Sequence, residues 1–153
     1  MTVAQNTRNQ IFTLLKKTYP HAHIALTYSN SWELLVAVIL SAQCTDSMVN
    51  KVTQTLFVKY RTLDDYVNAG LPLFEHDIKS TGFYHNKAKN IIAAARLIKE
   101  KFNGCIPKTM EEMVTIPGVA RKTANVVLGN AYNIVEGIAV DTHVLRLSQR
   151  LRL

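Results

Sequence analysis

TIPGVARKTANVVL, from Thr115 to Leu128, is the stretch on which the reading of the whole chain turns. Pro117 and Gly118 force a tight corner, and an apolar-periodic segment begins directly after two cations, Arg121 and Lys122. Upstream, TMEEMVT reads as a short helix capped by Thr109 with Glu112 three residues on. Downstream, RKTANVVLGNA reads as a second helix. The glycine permits a backbone conformation that other residues avoid. A tight turn that opens a helix also directs unpaired N–H groups outward, which suits a phosphate oxygen. These residues alone allow two readings. One is a helix-hairpin-helix that grips a nucleic-acid backbone without reading sequence; the other is an ordinary pair of helices with a Pro-Gly corner.

Lys122 falls in the first turn of that second helix, where the macrodipole disfavours an ammonium, and Arg121 beside it pushes the same way. An amine so placed is a usable nucleophile, able to form a Schiff base with an electrophilic carbon. The same lysine on a solvated hairpin also reads as a phosphate contact. Further on, GIAVDTHVLRL sets Asp141 at or near a helix N-cap. Aspartate is a good N-cap in its own right; in a functional reading it accepts the proton of Lys122 and stabilises positive charge developing on a sugar.

The remaining segments read almost entirely as helix, mostly from caps and breakers. Ile11, Leu14, Leu15 and Thr18 form one face of a first helix that Pro20 ends. Asn30 with Glu33 resembles a capping box, and WELLVAVILSA then runs apolar nearly all round, as a helix in the middle of a core does. Val49, Val52, Leu56 and Tyr60 form another stripe. TLDD at Thr62 is a further cap, Pro72 suits the first turn of a short helix, and Gly82 suits its stop. Asn86 to Phe102 carries Ile91, Ala94, Ala95, Ile98 and Phe102 on one face. The β-branched NIVEGIAV is the single, isolated place where a strand could be argued. The fold class is all-α.

Composition narrows the partners. The 153 residues are a natural size for one domain, and 48% of them are hydrophobic. No apolar run reaches the roughly 18 residues that a membrane span needs. The N-terminus MTVAQNTRNQ is polar without a signal-peptide core, so the expected location is the cytoplasm, with no membrane partner. Cys44 and Cys105 are too few for a disulfide framework or a metal knuckle, and read as small buried hydrophobes in a reducing compartment. The net charge of +7 favours polyanionic partners, nucleic acid first.

IPGVARKTANVVL, IAVDTHVLRL, LSAQCTD and GFYHNKAKNI, in one chain, resemble the endonuclease III family of DNA glycosylases, within the helix-hairpin-helix glycosylase superfamily. The resemblance covers the chain from its first helix to Leu153. It implies a bifunctional glycosylase and AP lyase that removes oxidised pyrimidines from duplex DNA, with damaged or abasic duplex as partner. Lys122 then corresponds to the Schiff-base nucleophile and Asp141 to the catalytic aspartate. Gln43 corresponds to the residue that fills the gap left by a flipped nucleotide, although it also reads as a helix C-cap partner. Lys87 and Lys89 would lie along the DNA backbone, or form a solvated face. Gly118, Val119, Ala120 and Arg121 make up the hairpin grip. The family's hairpin usually reads Gly-x-Gly; Ala120 takes the second place, and phosphate binding survives unless that position needs a positive φ.

The resemblance also implies an architecture. Residues 1–20 belong to a second helical domain, 21–132 form a six-helix domain containing the helix-hairpin-helix at 109–130, and 133–153 return into the second domain. Family members carry four cysteines that hold a 4Fe-4S cluster. Those ligands are missing here, so no cofactor is expected in this chain. The second domain is expected to be incomplete and the apolar face of the last helix uncovered, favouring self-association or a second polypeptide. A non-catalytic module that keeps only the hairpin grip shares every one of these motifs. An all-α protein-interaction domain without a nucleic-acid role is a third reading.

Overall fold

The computed structural model describes residues 3–153. Among them are nine α-helices and one 3-10 helix, with no strand. The helices are α1 (Val3–Thr18), α2 (Ser31–Ser41), α3 (Asp46–Lys59), α4 (Leu63–Val67), α5 (Leu71–Asp77), α6 (Tyr84–Lys101), α7 (Met110–Met113), α8 (Arg121–Tyr132) and α9 (Thr142–Leu151), with the 3-10 helix at Lys79–Thr81. NIVEGIAV forms no strand; it is a run of bends and irregular backbone. The chain divides into two compact units, one of residues 25–139 and one that combines residues 1–24 with 140–153.

In the larger unit, caps set the helix starts. The Asn30 side chain accepts from Glu33 N at 2.9 Å, while the Glu33 carboxylate reaches back to Ser29 N rather than to the cap residue itself. Thr62 and Asp65 close a full capping box on α4, and Thr109 accepts from Glu112 N on α7. Each such cap contributes about 1 kcal/mol by satisfying amides that the helix cannot.

α2 is the central element, packing against α3, α6 and α8. Leu34, Leu35, Val36, Ala37 and Leu40 are wholly buried on it, which explains why its sequence is apolar nearly all round. Ala88, Ala94 and Ala95 on α6 and Ala124 on α8 are equally buried; their small side chains let the helices approach closely. Trp32, Tyr60, Tyr66 and Phe74 interlock edge-on or tilted, with centroids 5.0–5.8 Å apart, and tie α4 and α5 to α2 and α3.

The smaller unit consists of α1 and α9 with their flanking residues. α9 buries none of its residues, and Val144, Leu145, Leu147 and Leu151 all stay exposed. On α1, Phe12, Leu14 and Leu15 are exposed as well.

Candidate functional site

The hairpin is built in the larger unit. α7 ends at Met113, and the amides of Ile116 and Val119 donate to Met113 O and Ile116 O at 3.1 and 3.0 Å, which winds the chain tightly. Gly118 takes φ +80°, a left-handed conformation in which a side chain would be strained. Ala120 is the N-cap of α8 at φ −91° and ψ 169°, extended backbone that alanine adopts freely. The second glycine of the usual hairpin is therefore not needed for backbone reasons here.

No side chain caps α8, so its first-turn amides are left for partners outside the helix. Gly118, Ala120, Arg121 and Lys122 are all exposed around this end. Val119 behaves differently: its side chain is buried and its N–H is used within the turn. Its placement corrects the expectation that it meets a ligand; it holds the hairpin shut. Lys122 is the second residue of α8, at the positive end of the helix dipole.

A second correction concerns Lys87. The sequence sets it with Lys89 on an exposed cationic edge, and Lys89 is exposed. Lys87 is 5% exposed, and its Nζ donates to the carbonyls of Leu40 and Thr81, both at 2.8 Å. Burial pushes its pKa down, with Cys44 opposing the shift. A buried ammonium donating to two carbonyls is not available to a phosphate.

Gln43 follows the C-cap of α2, Ala42, and adopts φ +55° with its side chain exposed. A left-handed residue directly after the C-cap is a common way for a helix to end, and it leaves the Gln43 side chain exposed. A cavity of about 250 Å³ joins Gln43 to Phe83, Asn86, Asn90 and Gly118. Phe83 is 71% exposed and has φ +49°. Sequence reasoning passes over Phe83, because an aromatic beside a helix start ordinarily belongs to the core and nothing in the periodicity marks it as exposed. A larger cavity of about 570 Å³, between α3 and the loop before α2, contains none of the candidate residues.

Asp141 is in the smaller unit, as N-cap of α9, where its Oδ1 accepts from Val144 N at 2.7 Å. Among the described residues no three His, Cys, Asp or Glu side chains gather as a metal site. Cys44 and Cys105 are the chain's only cysteines and cannot supply four thiolates to an iron–sulfur cluster. No described helix is long and apolar enough to cross a membrane.

Residues 36–153 match the HhH-GPD superfamily base excision DNA repair proteins. The chain is 55% identical over 144 residues to the endonuclease III of Synechocystis sp., covering 94% of this chain and 66% of that protein. It is 53% identical over 133 residues to the endonuclease III of Bacillus subtilis, covering 87% and 60%. It spans, then, between three fifths and two thirds of the length of these relatives. A solved structure of a trapped covalent intermediate between endonuclease III and DNA superposes with a TM-score of 0.90 at 48% identity, covering 98% of this chain and 70% of that one. With this identity along nearly the whole chain and this likeness of fold, the chain is a member of the endonuclease III family, within the HhH-GPD superfamily of base excision DNA repair proteins.

Proposed function

We propose that this chain acts on duplex DNA in base excision repair as a DNA glycosylase and AP lyase for oxidised pyrimidines and abasic sites. One observation carries the reading: an exposed lysine occupies the second position of a helix whose uncapped N-terminus opens from a Gly118 hairpin. The related endonuclease III forms a trapped covalent intermediate with DNA, and Lys122 is the residue here suited to form one. The hairpin amides and Arg121 hold the backbone phosphates, and Lys89 adds charge along the strand.

In the reaction, the damaged nucleotide is turned out of the stack. Lys122 Nζ attacks C1′ of its sugar, and the electron pair of the glycosidic C–N bond leaves with the base. Asp141 takes the proton that the amine loses and stabilises the positive charge developing on the sugar. The nitrogen lone pair then opens the furanose: the C1′–O4′ bond breaks, O4′ takes up a proton, and the open-chain sugar is an imine on Lys122. Loss of a proton from C2′ expels the 3′ phosphate by β-elimination, and hydrolysis of the imine frees the lysine.

The test is borohydride trapping on a duplex with one abasic site, comparing wild type with Lys122→Ala. A covalent adduct in wild type that disappears in a folded Lys122→Ala protein is expected. If folded wild type binds the duplex but gives no adduct, the chain is a backbone-binding module and the lyase reading is lost.

A further inference from the structure

Among the described residues, Lys87 is the one charged side chain buried in the core. Taking an ammonium out of water is costly unless its protons are donated. Here they go to two carbonyls that secondary structure leaves over. Leu40 O is among the last carbonyls of α2, which have no acceptor role left in the helix, and the cation also complements the negative end of the α2 dipole. Thr81 O closes the 3-10 helix. Three residues beyond Leu40 stands Gln43 at φ +55°, and two beyond Thr81 stands Phe83 at φ +49°. Both are exposed, and both line the same cavity. Left-handed conformations at non-glycine residues persist only where the surroundings hold them. One nitrogen atom thus ties down the roots of both turns. The Lys87 backbone N–H also donates to Phe83 O, at 3.2 Å.

We infer that Lys87 is a positioning residue: its buried ammonium locks the Gln43 turn against the Gly82–Phe83 turn, fixing the spacing at which these two side chains enter a damaged duplex. The inference rests on the DNA-lyase reading. Its consequence is selective. A step that needs Gln43 and Phe83 together, engaging a lesion inside a stacked duplex, depends on the lock. The phosphate grip at α8 and the chemistry of Lys122 do not.

Lys87→Met keeps an unbranched apolar stem of the side chain, one atom shorter, and removes its donors. Borohydride trapping rates are measured for wild type and variant on an abasic site in a duplex and on the same strand unpaired. Hydrogen exchange is followed at the amides of residues 42–46 and 82–84. The expected result is a duplex rate reduced about tenfold or more, equivalent to roughly 1.4 kcal/mol, with the single-strand rate within about twofold of wild type. Both turns should exchange faster while α8 is unchanged. Equal slowing on the two substrates would mean that the lysine is merely structural, and an unchanged duplex rate would mean that it sets nothing; either overturns the inference. If Lys87→Met does not fold, Lys87→Gln, whose amide is too short to reach both carbonyls, takes its place under the same criteria. A wild type that gives no adduct on either substrate defeats the lyase reading instead, and the lock is then judged on the exchange of the two turns alone, where unchanged protection overturns it.

Discussion

Gly118 lies directly against Asn90 of α6: a Cβ built on the glycine would stand 2.9 Å from Asn90 Cβ and 3.2 Å from its amide nitrogen. Two separate constraints therefore exclude a side chain from the hairpin, the φ of +80° and the α6 surface behind it. Gly118→Ala is expected to cost about 1–3 kcal/mol in strain, and part of it is to appear as a displaced hairpin. The closest clash is with Asn90 Cβ, so Asn90→Ala cannot relieve it and Asn90→Gly can. Urea unfolding gives the stability loss, and fluorescence titration with undamaged duplex gives the grip. Affinity for undamaged DNA should fall about tenfold in Gly118→Ala and recover in part in the double variant with Asn90→Gly. Wild-type affinity in Gly118→Ala would remove the hairpin from the binding surface.

Asp141 carries a structural duty and a proposed chemical one, and the two can be separated. Its Oδ1 caps α9 through Val144 N. Asparagine caps as well as aspartate, so Asp141→Asn should stay within about 0.5 kcal/mol of wild type, whereas Asp141→Ala should lose about 1 kcal/mol. Asparagine accepts no proton, however. Loss of acid–base help costs on the order of a hundredfold or more in rate, so both variants should form the borohydride adduct that much more slowly. An Asp141→Asn protein that traps at the wild-type rate would remove the residue from the chemistry.

Much of this was legible in the sequence because the signals are local. Caps such as Asn30, Thr62, Thr109 and Asp141 act within three residues of themselves, and all four stand at their helix starts. The turn at Gly118 was visible for the same reason. α6, by contrast, begins at Tyr84, two residues before the expected Asn86, because Phe83 enters it in a left-handed conformation without any side-chain cap. The sequence points Lys87 outward, along a DNA backbone or on a solvated face, as lysines usually are. Its burial depends on two carbonyls, one of which, Leu40 O, is 47 residues away in sequence, and no local pattern records that.

Acid should weaken one cap in particular. Asp65 Oδ2 accepts from Thr62 N at 2.7 Å, from Thr62 Oγ1 at 2.9 Å and from Arg61 N at 2.9 Å. These donors, the Thr62 amide first, hold the carboxyl below the usual carboxylate range. A carboxylate whose folded pKa is depressed lends stability that is present above its unfolded value of about 4 and is lost as pH falls through the folded value. The gap in urea midpoint between wild type and Asp65→Asn should therefore be widest near neutral pH and shrink steadily below about pH 4. A gap that stays constant down to pH 2 would show that the charge of Asp65 contributes nothing to α4.

Phe83 offers a case in which stability and function should move in opposite directions. Its ring is 71% exposed and its backbone sits at φ +49°. A left-handed residue with a side chain costs about 1–2 kcal/mol, and glycine relieves that at an entropic cost of about 0.5–1 kcal/mol. Phe83→Gly is therefore expected to be as stable as wild type or more so by up to about 1 kcal/mol, since the ring buries little. An exposed apolar ring beside Gln43 is suited to wedge between base steps. Its loss should weaken binding to an abasic duplex by about tenfold or more while leaving the affinity for undamaged duplex within about twofold, a difference of roughly 1.4 kcal/mol in discrimination. Paired titrations with the two duplexes, alongside urea unfolding, measure all three quantities. If Phe83→Gly discriminates abasic from intact DNA as wild type does, the exposed ring plays no part in recognising the lesion, and the strain at residue 83 has some other origin.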